Sequence, residues 1–355
     1  MAGDGVHTRP YFLTVGLLMA VAVSLVLTGC GGGGGGGGGN NDGVANWQLR
    51  VTDLGTLGGD AGQALAVNDS GQVVGWSRLP GTNTYHAFSY SGGHMTDLGT
   101  LAAGGSSQAA DINNNGVICG TSDVGGNDQR AFRYNNNQME DIGTVLPWIN
   151  ANAEGINDAG QIVGNSGGAA FLWENGQMQQ LPTPGDSAGA AAINSSGMVC
   201  GWAWLTSASV DHAFRGTLTS AIDLGVRDGT SSEAFDINDS GHVAGVYVRG
   251  AERRGFIFRG GAMRDLGSLG GNQAEAHGIN NNGVVVGFDF AVTQGGHVVH
   301  AFAWDGTMHD LNDLLDAQSQ GWTLARAFAI SDSNLIVGHG RNPSGQYRPF
   351  LARPN

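Results

Sequence analysis

Short apolar runs alternate with Gly-, Asn- and Asp-rich turns along most of the chain. Residues 64–77 read Ala-Leu-Ala-Val-Asn-Asp-Ser-Gly-Gln-Val-Val-Gly-Trp-Ser, and this pattern returns from Ala109, Ala153, Ala190, Ala234, Ala276 and Ala327. Its fifth position is Asn68, Asn113, Asn157, Asn194, Asn238, Asn280 and finally Ser331, at intervals of 45, 44, 37, 44, 42 and 51 residues. Each unit predicts four short strands. The first is Ala-x-small-Ile/Val-Asn. A turn whose last place is Gly, or Asn334 in the seventh unit, leads to a second strand of Val-Val-Gly type. Gly and Asn tolerate positive φ, so this turn suits a tight hairpin. The third strand carries a Phe, as in Ala170-Phe-Leu-Trp173, and a second tight turn leads to a fourth, as in Met95–Leu98. No segment holds a 3.6-residue apolar period over a helix length; a turn of helix is expected only within Met308–Gln318.

Four antiparallel strands per unit of this length predict a propeller blade. Seven units then form an all-β, seven-bladed β-propeller over residues 47–355. The last unit ends at its third strand, Arg348–Ala352, while a spare N-terminal strand, Val51–Leu54, matches the fourth-strand motif. Pairing the two closes the ring and removes an open edge. The first strand should border the central channel, where the small Ala at its start is needed. An open β-solenoid is the rival architecture.

The third strand opens with His86-Ala-Phe88, Arg130-Ala-Phe132, His212-Ala-Phe214 and His300-Ala-Phe302, and the fourth ends in Asp-Leu-Gly at 97–99, 223–225 and 265–267. With the recurring Ala, Asn and Gly, these residues resemble the HAF-repeat family of extracellular bacterial proteins, over residues 47–355. The resemblance implies secretion and a repeat fold, and no established activity. Gly255 and Pro349 depart from the Ala, and Arg130, Arg254 and Arg348 replace the His, so histidine chemistry shared by every unit is not expected.

The apolar run Leu13–Leu27 is too short for a membrane span of about 20 residues and fits the core of a secretory signal. It ends in Leu27-Thr28-Gly29-Cys30, which resembles the lipobox of bacterial lipoproteins. Residues 1–29 are then a signal peptide and Cys30 the lipidated residue, anchoring the chain in the cell envelope, with the outer membrane or cell surface expected. Nine glycines, Gly31–Gly39, open a tether running to residue 46. Nothing in it buries apolar surface, and about 15 Gly-rich residues span roughly 20 Å as a coil.

The chain has no Lys, 63 Gly and a formal net charge of −14. Lysine-based chemistry is excluded, and the acidic balance argues against a nucleic-acid partner. No nucleophile elbow, HExxH or Cys/His pairing occurs, so no catalytic residue, metal or cofactor is assigned. Asp111-x-Asn113-x-Asn115-Gly116 and Asp236-x-Asn238-x-Ser240-Gly241 faintly echo calcium loops, but lack the closing carboxylate and read as turns. The Asp of Asp-Leu-Gly is expected in a structural polar network. Cys119 and Cys200 occupy equivalent places in nonadjacent units and read as buried free thiols.

Alternate loops fall on opposite ends of a propeller. The variable loops share one end, where binding residues are expected. They supply Tyr85, Trp148, Trp204, Tyr247 and Trp322; the start of each first strand supplies Glu233, Glu275 and Arg326, with Glu154 just beyond. Aromatics beside amides and carboxylates suit an extracellular glycan or protein, bound without chemistry. The alternatives are an envelope glycan hydrolase or lyase using Glu154, Glu233 or Glu275 as acid and base, and a structural part of the envelope.

Overall fold

A computed structural model describes residues 43–126, 128–145, 150–293 and 296–355. The lipobox, Cys30, the glycine tract and Trp148 lie outside these residues. The described chain forms seven four-stranded antiparallel sheets. Six are built from consecutive strands; the seventh takes the order N-terminal strand, third, second, first. The innermost strands are Gly62–Val67, Ser107–Ile112, Ala151–Ile156, Ser187–Ile193, Ser231–Ile237, Glu275–Ile279 and Thr323–Ile330. Each touches its two neighbours around the ring, so the structure is a closed seven-bladed β-propeller.

Closure follows the sequence expectation closely. The N-terminal strand Leu49–Asp53 pairs antiparallel with Tyr347–Pro354, from Leu49 opposite Pro354 to Asp53 opposite Phe350. The far edge of that strand would otherwise be free. A 3-10 turn at Leu311–Leu314 brings the following loop against it. Leu49 bridges Leu315, Arg50 pairs with Asp316, and Val51 N–H donates to Ser319 Oγ at 2.8 Å. The helical turn expected within Met308–Gln318 therefore covers an edge.

Seven apolar clusters fill the seven blade interfaces. Each receives one Phe of the third-strand motif, and Phe88, Phe132, Phe171, Phe214, Phe256, Phe302 and Phe350 are all fully buried. The glycine of the second strand is required by close approach: a Cβ on Gly75 would lie 1.9 Å from Gln63 O, and one on Gly120 would lie 2.8 Å from the Phe132 ring. The Asp of Asp-Leu-Gly closes its own turn and holds the residue that precedes Ala-Phe. Asp97 accepts from Gly99 N–H at 2.8 Å and meets His86 Nδ1 at 2.9 Å. His212 with Asp223, Arg254 with Asp265 and His300 with Asp310 repeat the pair. Both Cys119 and Cys200 are buried free thiols.

The turn asparagines do more than turn. Asn113 Oδ1 accepts from Asn115 and Val117 N–H, while its Nδ2 donates to Asn157 O of the next blade at 2.9 Å. The inter-blade bond recurs from Asn68 to Asn113, Asn157 to Asn194, Asn194 to Asn238, Asn238 to Asn280 and Asn280 to Ser331. Six buried amides thus stitch the ring at one end. Ser331 has no amide; Ser333 Oγ completes the circuit by donating to Asp69 O at 3.0 Å. With its oxygen taken by two N–H donors, Asn113 is a turn and belt residue.

Candidate functional site: the channel mouth

The innermost strands carry a β-bulge. Pairing shifts between Ala64 and Ala66, and likewise at 109/111, 153/155, 190/192, 234/236, 276/278 and 327/329. A bulge leaves one residue unpaired and re-aims its side chain. The bulged residues are Leu65, Ala110, Glu154, Ala191, Phe235, His277 and Phe328. All seven are partly exposed, whereas Ala64 and Val67 beside Leu65 are buried. On the innermost strand of a closed ring, such exposure faces the channel. Two residues earlier lie Gln63, Gln108, Asn152, Gly189, Glu233, Glu275 and Arg326, which include the Glu233, Glu275 and Arg326 expected at the mouth.

The seven positions are chemically unequal. Blades 5 to 7 present an aromatic wall. The Phe235 and His277 rings stack at 4.6 Å with 6° between planes; His277 also stacks on Phe288 at 5.4 Å and meets the edge of Phe328 at 5.6 Å. Phe328 continues to His339 at 5.5 Å. Arg326 lays its guanidinium over Phe288 at 4.1 Å. Blades 2 to 4 offer small residues, amides and the Glu154 carboxyl instead. A Cβ on Gly189 would meet Trp202 Nε1 at 2.8 Å, so this glycine makes room for the Trp202 indole over the inner strand. Asn152 Oδ1 and His339 Nδ1 are sealed from solvent without a hydrogen-bond partner.

Three carboxyls line the channel more deeply. Burial pushes Glu154 up to about 7. Burial also pushes Asp111 up to about 7 and Asp236 up to about 6, against the lowering effect of two backbone N–H donors each. Asp111 ties Ile112 N–H to Ile156 N–H of the next blade, at 2.8 and 2.9 Å; Asp236 does the same for Ile237 and Ile279. Glu275 behaves oppositely. Burial alone would raise it, but His277 and Arg253 outweigh burial and bring it down to about 2. Its Oε1 accepts from Arg253 Nε at 2.6 Å, and its Oε2 meets His277 Nε2 at 3.1 Å.

The sign of the resulting pH dependence is fixed. A carboxyl raised in the folded state contributes stability present below about pH 4, which is lost as pH rises through about 7. Glu154→Gln is therefore expected to melt about 3–6 °C above the native chain at pH 8 and within about 2 °C of it at pH 5, with a difference of about 1–3 kcal/mol at the higher pH. Glu275 contributes in the opposite sense and is lost only below about pH 4, outside that window. Melting curves at the two pH values check this; an equal gap at both would contradict it.

The other expected residues are dispersed. Tyr85 is half-buried and packs edge-on to Trp76 at 5.5 Å, on the mouth side of blade 1. Glu233 is partly exposed on the inner strand of blade 5, and Trp204 is partly exposed further out on blade 4. Tyr247 corrects its expectation. It is fully buried in the interface of blades 4 and 5, and its hydroxyl donates to Asp265 Oδ2 at 2.7 Å, so no loop presents it to a ligand. Trp322 packs edge-on to Phe350 against the core of the last interface. Sequence reasoning missed Phe235, His277, Phe328, Trp202, Phe288 and His339. For the bulged residues a signal existed: the place after the repeat's Ala varies among Leu, Ala, Glu, Phe and His while that Ala is invariant.

No family model and no curated protein matches the chain. Solved structures do. A puromycin-hydrolyzing peptidase of Mycobacterium tuberculosis aligns with 85% of this chain at 12% identity and a TM-score of 0.55. This chain spans 50% of that peptidase's length. The β-propeller domain of the Trilobed protease from Pyrococcus furiosus, described as an open velcro topology, aligns with 70% of this chain and 80% of its own at 11% identity, with a TM-score of 0.50. TolB from Acinetobacter baumannii aligns with 84% of this chain and 65% of its own at 13% identity and a TM-score of 0.46. At these identities the likeness shows the β-propeller fold alone.

Proposed function

We propose that this chain is an envelope-anchored binding module of the HAF-repeat type, held through Cys30 and taking an extracellular glycan at the channel mouth without chemistry of its own. The observation that carries the reading is the one-sided aromatic wall of Phe235, His277 and Phe328. The rings stack on one another, and the partly exposed edges and outer faces they leave beside amides and carboxylates match a sugar, which has apolar ring faces and a polar rim. The wall sits on a closed, belted ring, which suits recognition through a site formed in advance. Thermal unfolding of the full chain in detergent, against a panel of polysaccharides and peptidoglycan fragments, tests it. A ligand at a hundredfold excess over its dissociation constant adds about 2.7 kcal/mol, or about 5–10 °C. Phe328→Ala should abolish the shift. No shift with any glycan, or one unaffected by Phe328→Ala, would overturn the reading.

One observation favours a hydrolase as second reading. Glu154 is held protonated near neutrality while Glu275 is held ionised, the division of roles that glycoside cleavage needs. Glu154→Gln abolishes turnover in an enzyme and only adjusts affinity in a binder.

A further inference from the structure

We propose that Arg326 is a carboxylate seat, so that the glycan carries a singly charged uronic acid at blade 7 of the mouth; this rests on the glycan reading above. Ion pairs or carboxylate hydrogen bonds hold Arg50, Arg249, Arg253 and Arg254. Arg326 differs. Among the described residues its guanidinium makes no hydrogen bond or close ion pair, and its contact is the face of Phe288. Stacking covers one face of the plane and leaves the N–H rim free, the geometry that accepts a carboxylate through two parallel bonds. Glu275, the nearest acid by its electrostatic effect, has one oxygen bonded to Arg253 and the other to His277. It therefore has little left to offer.

A second observation marks the same corner. His339 stands opposite Arg326 in the strand register, and its Nδ1 is sealed from solvent without a partner. Burial and the Arg326 charge hold its ring at about 4, hence neutral at working pH. The corner thus carries one unneutralised positive charge and an unmatched ring nitrogen. Charge argues for one carboxylate rather than a polyanion. Arg326 is the one cation among the seven mouth positions, Glu233 and Glu275 share that ring, and the chain carries a net charge of −14. A sulfated or phosphorylated chain would meet that field at every further charge.

The test is calorimetric titration of the full chain in detergent. The probes are oligosaccharides holding one glucuronic or galacturonic acid, each matched with its carboxyl-reduced alcohol. The native chain should bind at least one acid about ten- to a hundredfold more tightly than its alcohol. Arg326→Gln should bind acid and alcohol equally, and Arg326→Lys should recover part of the difference. Both variants should melt within about 2 °C of the native chain, since the side chain loses its stacking contact on Phe288 but no hydrogen bond or ion pair. Acid and alcohol binding the native chain equally would overturn the seat and leave the glycan reading standing. Binding only of sulfated sugars, or only of peptides through a free carboxylate, would overturn the uronic acid assignment. No binding of any sugar would overturn both.

Discussion

Deleting residues 43–53 should lower the melting temperature by about 10–20 °C. The segment buries Val44, Trp47 and Leu49 in the interface of the last two blades, with Leu49 wholly inaccessible. Three such side chains contribute about 5–8 kcal/mol, and a domain of this size shifts by about 2–4 °C per kcal/mol. Polar links add to this. Val44 N–H donates to Asp305 Oδ2 at 2.9 Å, and Asn342 Nδ2 donates to Asp53 Oδ2 at 2.9 Å. Removing the strand also exposes two edges, that of Tyr347–Pro354 and that of the 315–319 loop, so the truncated chain should associate. Deleting the glycine tract 31–39 is the control and should leave melting unchanged. An unchanged melt without residues 43–53 would mean that this strand does not hold the ring closed.

The second large effect concerns the asparagine belt. Asn113→Ala removes an acceptor for two N–H groups and a donor to the next blade at one stroke. Each buried group left unpaired costs about 1–3 kcal/mol, so a total loss of about 3–5 kcal/mol is expected. Asn113→Asp separates the two roles. It keeps the acceptor for Asn115 and Val117, but sets a carboxylate oxygen against Asn157 O. It should therefore be unstable at pH 8 and recover towards pH 4.5, where a protonated acid donates as the amide did. Chemical denaturation at the two pH values reads this out. An aspartate variant as stable as the native chain at pH 8 would show that the inter-blade bond is dispensable.

Much of this architecture was legible because each unit must solve the same packing problem. The recurring Phe, the second-strand Gly and the Asp-Leu-Gly turn are local requirements, and their repetition exposed the blade. The displaced strand was legible because Val51–Leu54 matches a fourth-strand motif that the last unit lacks. The site was less legible because it depends on an irregularity. Ala64 and Val67 pack into the same blade interface yet stand three residues apart, which a strand of period two does not allow. That spacing already requires a bulge, and the bulge decides that Leu65, Glu154, Phe235, His277 and Phe328 face the channel. Tyr247 misled for a related reason. It looked like a loop aromatic because it stands at the end of the repeat, where other units carry Ser77, Ser122 or Ser166. Those serines and Tyr247 are all buried. Trp202 was hidden because its place depends on a glycine, Gly189, on the neighbouring strand.

The Asn belt shows what repetition alone does not reveal. A turn Asn is common in any tight hairpin. Only the closed ring shows that its amide reaches the next blade, and that Ser331 interrupts the circuit at the point where the last blade meets the first.

The most direct test of a ligand at the channel mouth is to fill the mouth and measure binding. Ala191 is the bulged residue of blade 4, partly exposed to the channel and outside the apolar core clusters. Ala191→Trp should fold with a melting temperature within about 2 °C of the native chain and lose the glycan-induced shift. Thr219→Trp, in an exposed third-to-fourth-strand turn at the opposite end of the ring, should keep the shift in full. A glycan that still stabilises Ala191→Trp as it does the native chain would place its site elsewhere on the propeller and contradict the account.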